Sequence, residues 1–129
     1  MKKGKIDIQL CTKDRPSELA LLLQSLREQS YQDWDLYISD DASGTPIGNN
    51  HFISTLLHRI KMEGHRVTVL RNDFSLGICG NRQKLVDYGL EHGDGEFFCR
   101  IDDDCIVERD YLKKLLEVIE EGYDSANGS

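Results

Sequence analysis

Two short runs of aspartate are the residues best suited to chemistry in this chain of 129 residues: Asp40-Asp41-Ala42-Ser43 and Asp102-Asp103-Asp104. Each follows an apolar stretch, Leu36-Tyr37-Ile38 in one case and Phe97-Phe98-Cys99-Arg100-Ile101 in the other. Carboxylates gathered at one edge repel each other unless something cationic sits among them. A divalent ion is a natural partner, because Mg²⁺ and Mn²⁺ are hard ions that prefer oxygen ligands. Three successive aspartates after a strand can turn two carboxylates toward one ion, leaving its other positions to water and substrate phosphates. The pattern therefore points to a metal-bound diphosphate. Aspartate also suits turns and helix caps, which would account for either cluster alone. Two clusters at matching strand ends favour a shared site.

The periodicities around these clusters say what must position them. Ile6-Asp7-Ile8-Gln9-Leu10 alternates apolar and polar residues, as a strand does. Leu19, Leu22, Leu23 and Leu26 then form the stripe of an amphipathic helix, with Pro16 near its start. Leu36 to Ile38 is a second strand, and Phe52, Ile53, Leu56, Leu57 and Ile60 share a face of a second helix that Gly64 ends. Val67 to Leu70 is the third strand. A loop over Arg71 to Gly80 leads to a third helix, Asn81 to His92, around Leu85, Val86 and Leu90. Phe97 to Ile101 is the fourth strand, and a last helix carries Tyr111, Leu112, Leu115, Leu116 and Ile119, stopping before Gly122. Strand and helix alternating four times predict an α/β fold, a Rossmann-like parallel sheet of about four strands flanked by helices. One domain over 1–123 is expected, with 124–129 as a flexible tail. Ligands of such sheets sit beyond the carboxyl ends of the strands, where Thr12-Lys13-Asp14-Arg15-Pro16, Asp40-Asp41, Arg71-Asn72-Asp73 and Asp102 to Asp104 all fall.

Composition narrows the partners. Sixteen Lys and Arg against 23 Asp and Glu give a formal net charge of −7, the wrong sign for a nucleic-acid binder. The longest apolar run, Leu19 to Leu23, is far short of the roughly 20 residues that span a bilayer, and no signal peptide is expected because Asp7 interrupts the segment after the basic start. A cytoplasmic location follows as an expectation, at the inner membrane face for a longer protein. None of Cys11, Cys79, Cys99 and Cys105 is spaced as C-x-x-C, so they read as small core residues. His51, His58 and His65 recur every seven residues, which on a helix is a solvent-facing stripe two turns apart and not a metal site.

The ordered set Ile6-Asp7-Ile8-Gln9-Leu10-Cys11-Thr12-Lys13-Asp14-Arg15-Pro16, then Gln29 to Ser43 with its Asp40-Asp41-Ala42-Ser43, then Asn72, Gly77 and Arg82, and finally Gly95-Glu96-Phe97-Phe98 before Asp102-Asp103-Asp104 resembles the opening of family 2 glycosyltransferases. The resemblance covers nearly the whole chain. It implies the nucleotide-binding half of a GT-A fold and a donor that is a nucleotide-diphospho-sugar, most often UDP-linked. It would put Thr12 beside the nucleoside and Asp41 against the uracil N3–H. Arg82 would approach the base or diphosphate, Asp103 would lie closer to the ribose or sugar, and Arg15 would be a further nucleotide-sugar-binding residue. Asp102 and Asp104 would be the D-x-D pair that holds Mg²⁺ or Mn²⁺. Lys13 stands where the family usually has Tyr, and Arg109 where it often has Pro.

Transfer by inversion to a glycan or lipid-linked acceptor, in polysaccharide biosynthesis, is the implied activity. The general base and the acceptor-binding half are expected beyond residue 129, so the chain reads as the donor-binding part of a longer enzyme. Three rivals share the acidic strand ends. A haloacid-dehalogenase-like phosphatase would follow its D-x-D with Gly-Thr, where this chain has Cys105-Ile106. A nucleotidyltransferase would carry a glycine in the loop after the first strand, and Thr12 to Pro16 has none. A noncatalytic nucleotide- or metal-binding module of receiver type would have its acidic pair after the first strand.

Overall fold

The computed structural model describes residues 2–120. Its elements are β1 (Lys2–Thr12), α1 (Pro16–Arg27), β2 (Trp34–Asp40), a short 3₁₀ turn (Ile47–Asn49), α2 (His51–Met62), β3 (Val67–Arg71), α3 (Gly77–His92), β4 (Gly95–Arg100) and α4 (Tyr111–Glu120). The sheet order is β3-β2-β1-β4, and every pairing is parallel. The expected α/β architecture is therefore present, while the 124–129 tail lies outside the described residues.

Strand alternation sorts the two faces. Ile6, Ile8 and Leu10 of β1 and Trp34, Leu36 and Ile38 of β2 join the buried cluster with Leu19, Leu22, Leu23 and Leu26 of α1, Ile53 and Ile60 of α2, and Leu112 of α4. The intervening residues turn to the other face, where α3 lies; there Gln9 Nε2 donates to the Leu85 carbonyl at 3.3 Å. All seven residues of β2 are buried, as expected of a central strand covered on both sides. Helix boundaries follow local chemistry in two cases. Pro16 opens α1, and the Asn50 side chain accepts from Ile53 N at 3.1 Å to cap α2.

Register sets the site. Thr12 pairs with Asp40 and Asp40 with Arg71, while Gln9 pairs with Arg100, so continuing that register sets Thr12 level with Asp103. The four carboxyl ends are thus flush.

Several expectations are corrected. Helix α3 begins at Gly77, four residues before Asn81, so the predicted loop ends earlier than Gly80. Phe52 and Leu90 lie on exposed surfaces and not on buried faces. His51 and His58 are exposed, but His65 lies outside α2 and is buried, stacked on Trp34 with centroids 3.5 Å apart. Only Cys11 and Cys99 are half-buried; Cys79 and Cys105 are exposed.

Candidate functional site

A cleft of about 530 Å³ opens at the carboxyl ends of the strands, and Thr12, Arg15, Asp41, Arg82 and Asp102 to Asp104 all line it. Every site residue expected from the sequence is thus brought to one place. The Asp41 backbone N–H donates to the Thr12 carbonyl at 2.9 Å, extending the β1–β2 ladder by one rung and fixing the second acidic residue at the floor.

The three aspartates after β4 divide their tasks. Asp103 is buried; its Oδ2 accepts from Thr12 Oγ1 at 3.0 Å, and Arg15 Nη1 lies 3.4 Å from its Oδ1. Asp102 and Asp104 point outward, with side chains 58% and 55% exposed. Arg82 Nη2 donates to Asp102 Oδ1 at 3.1 Å, and Arg15 Nη1 lies 3.3 Å from Asp104 Oδ2. The acidic edge is therefore already accompanied by cations of the chain itself, Arg15, Arg82 and, on Asp40, Arg71 at 2.8 Å. These arginines supply part of the positive charge that an acidic edge requires. Asp40 is consumed structurally: it also accepts from Ser43 N and Ile47 N.

One ligand atom each from Asp102, Asp104 and Cys105 lies within 4.8 Å of the others. The two exposed carboxylates suit a hard divalent ion with most positions left for water and phosphate. Burial, aided by Asp104 and Asp102, pushes the Cys105 thiol above its ordinary value, so it is a protonated neighbour and no match for Mg²⁺ or Mn²⁺. On the cleft wall, burial pushes Cys11 up to about 11, which leaves it a neutral lining residue.

Asp41 has the densest set of partners. Its Oδ1 accepts from Asn72 Nδ2 at 2.9 Å and Leu76 N at 2.7 Å, and its Oδ2 from Ser75 Oγ at 2.8 Å and Gly77 N at 3.2 Å. Burial opposes its ionisation, yet the bonds from Leu76, Asn72, Ser75 and Gly77 outweigh it and hold the carboxyl below its ordinary value. The same bonds explain the early start of α3. Leu76 at its N-cap offers no side-chain acceptor, and a carboxylate 35 residues upstream serves instead, complementing the positive helix end. Behind it, Asn81 Oδ1 accepts from Ser39 Oγ at 2.6 Å and from Asn72 Nδ2 at 2.9 Å, and Lys84 bonds Asn72 Oδ1. Ser39, Ser75, Asn81 and Lys84 are supporting residues that sequence reasoning missed. An asparagine on a helix and a serine in a strand carry no local signal of one another.

The model of the family described as Glycosyl transferase family 2 matches residues 7–129. Among solved structures, S. aureus TarS superimposes with a TM-score of 0.69 at 20% identity, over 91% of this chain and 20% of that one. TarS 1–349 in complex with UDP also gives 0.69 at 20% identity, over 91% and 32%. The mannosyltransferase PcManGT from Pyrobaculum calidifontis, in complex with GDP-Man and Mn²⁺, gives 0.55 at 16% identity, over 78% and 27%. Among curated proteins, the uncharacterized protein y4gI of Sinorhizobium fredii is 25% identical over 105 residues, 81% of this chain. The chain spans 11% of that relative's length and 20% to 32% of these TarS chains.

Proposed function

The chain belongs to glycosyl transferase family 2, and on that premise we propose that it is the donor-binding part of a glycosyltransferase, holding a UDP-sugar whose sugar passes with inversion to an acceptor hydroxyl. The observation that carries this reading is the convergence of Thr12, Arg15, Asp41, Arg82 and Asp102 to Asp104 on one cleft. The TarS complexes with UDP and with UDP-GlcNAc favour uridine as the base, and the Mn²⁺ complex of PcManGT favours a divalent ion.

Each residue has a task that its chemistry suits. Asp102 and Asp104 hold the ion; when bound, Mg²⁺ or Mn²⁺ supplies Lewis-acid neutralisation of the departing diphosphate. Arg15 and Arg82, now paired with those same carboxylates, are the guanidinium groups within reach of phosphate oxygens, for which their planar fork is suited. Thr12 and Asp103 form a bonded pair against the ribose. Asp41 accepts the uracil N3–H, and a carboxylate there would reject cytosine, whose N3 is itself an acceptor. For that, one of the four donors on Asp41 must yield, and the exposed Ser75 hydroxyl is the one that can rotate away. A general base and an acceptor-binding half belong to a longer protein, at the cytoplasmic face of a membrane.

Calorimetry of the 129-residue chain with UDP, with and without Mn²⁺, tests the reading. Binding that requires Mn²⁺ is the expected result. Failure of every nucleoside diphosphate to bind in the presence of Mn²⁺ overturns it, and phosphate release from a generic ester would favour the phosphatase instead.

A further inference from the structure

The acidic pair assigned to the divalent ion is not bare. Arg82 Nη2 lies 3.1 Å from Asp102 Oδ1 and Arg15 Nη1 lies 3.3 Å from Asp104 Oδ2, so each carboxylate carries one guanidinium. The two arginines come from opposite faces of the sheet, Arg15 from the residue that precedes α1 and Arg82 from α3. Both hang from fixed backbone. Beside Arg15, Asp14 N donates to Ser43 Oγ at 2.9 Å and Asp14 Oδ1 accepts from Gly44 N at 2.7 Å. Beside Arg82, Asn81 is buried and bonded to Ser39. Freedom is left to the side chains, and all four in the two pairs are at least one-third exposed. Arg15 has a second anchor: the same Nη1 lies 3.4 Å from Oδ1 of the buried Asp103, so it can release Asp104 without leaving the site.

Exposed pairs of this kind shift an equilibrium by no more than about fivefold each, weak enough to yield to a double charge. An ion held between Asp102 and Asp104 takes over the charge that each guanidinium now balances, and positive charges so close repel. Both arginines are then left unmatched beside the ion, where a diphosphate offers oxygens to all three. The pairs must break once when ion and diphosphate bind together, but twice when each binds alone.

Resting on the donor-binding reading above, we infer that Arg15 and Arg82 form a counter-ion latch: they hold Asp102 and Asp104 against a lone ion and transfer to the diphosphate when both ligands bind, which makes ion and nucleotide cooperative. Mn²⁺ titrated into the 129-residue chain without nucleotide, with the free ion read by electron paramagnetic resonance, tests the latch. R15A and R82A are each expected to tighten Mn²⁺ binding about two- to fivefold, and R15A/R82A about tenfold. Arg100 supplies the control, since it lines the same cleft and is paired with no carboxylate among the described residues; R100A should leave Mn²⁺ affinity near that of wild type. A gain in affinity cannot come from a misfolded chain. Calorimetry then reads UDP with and without Mn²⁺. The factor by which Mn²⁺ tightens UDP equals that by which UDP tightens Mn²⁺, and R15A/R82A should lower it about tenfold while weakening UDP at saturating Mn²⁺. An R15A/R82A affinity for Mn²⁺ that stays at the R100A level, or falls, overturns the latch even where UDP still binds. A Mn²⁺ gain with no nucleoside diphosphate bound by any variant instead overturns the donor-binding reading, and with it the transfer of the arginines to diphosphate.

Discussion

Aspartates gather at both ends of this sheet, and the two groups behave in opposite ways. At the carboxyl end, Asp102 and Asp104 are more than half exposed and paired with exposed or half-exposed arginines. At the amino end, Asp7, Asp35 and Asp94 also bring one oxygen each within 4.8 Å of the others, but the site is closed. Lys5 Nζ lies 2.7 Å from Asp35 and 3.6 Å from Asp94, and Arg66 reaches Asp94 at 3.0 Å. Gly95 packs so tightly on Asp7 that a Cβ there would lie 2.7 Å from its Oδ1. A resident ammonium already lies between Asp35 and Asp94. Clustered carboxylates are thus not in themselves a binding site. What separates the two is whether the compensating cation is fixed and desolvated, or held on an exposed side chain that a ligand can displace.

The largest effect should come from breaking the closed end. Asp35 is 3% exposed and Lys5 13%, so Asp35→Ala leaves the Lys5 ammonium only its longer contact with Asp94 and is expected to cost about 3 kcal/mol of stability, read by urea unfolding; a loss below about 1 kcal/mol would show that the cluster is solvated after all. Asp104→Ala, at the open end, is expected to change stability by less than about 1 kcal/mol. The same variant should weaken Mn²⁺-dependent UDP binding by at least tenfold, about 1.4 kcal/mol. If stability fell and binding held, the assignments of the two ends would be exchanged.

Smaller and opposite in sign are the pH responses. Burial holds Asp7 above its ordinary value of 3.8, so its contribution is fully present below that value and is lost as pH rises through the higher folded one. Asp41 is held below 3.8, so its contribution is present above that value and is lost as pH falls through the lower folded one. Asp7→Asn should therefore stabilise the protein at neutral pH, and Asp41→Asn should remove part of its loss in acid. Unfolding curves from pH 3 to 7 that moved the same way for both would contradict the comparison.

The frame of this comparison was legible in the sequence, because period-2 and period-3.6 patterns are local. Ile6 to Leu10 and Leu19 to Leu26 announced β1 and α1, and the acidic strand ends announced the cleft. What was illegible depends on contacts between distant segments. The start of α3 at Gly77 is set chiefly by Asp41, since Leu76 itself offers no side-chain cap. His65 reads as one of three surface histidines spaced seven apart, yet Gly64, at φ +103°, ends the helix and turns it onto Trp34. Phe52 and Leu90 fit helical stripes but exceed the surface that the sheet can cover. Nothing in the sequence around Arg15 pairs it with Asp103 and Asp104; the level register of Thr12 with Asp103 shows it crossing to the β4 end.

The smallest effect is the most discriminating for the open end, because it asks whether a fully bonded carboxylate can still be a ligand. Asp41 carries two donors on each oxygen, which is its full acceptor capacity. If Asp41 instead serves only to cap α3, Ser75→Ala removes one bond, costs about 0.5–1.5 kcal/mol of stability and leaves UDP affinity unchanged or weaker. If Asp41 takes the uracil N3–H, the Ser75 hydroxyl competes with the ligand for Oδ2. Ser75→Ala then costs the same stability yet tightens UDP binding a few-fold, with no gain for CDP, whose N3 cannot donate. Stability alone cannot separate the two roles, since both lose the bond. The sign of the affinity change can, and a gain shared equally by UDP and CDP would point to a merely looser cleft and remove Asp41 from base recognition.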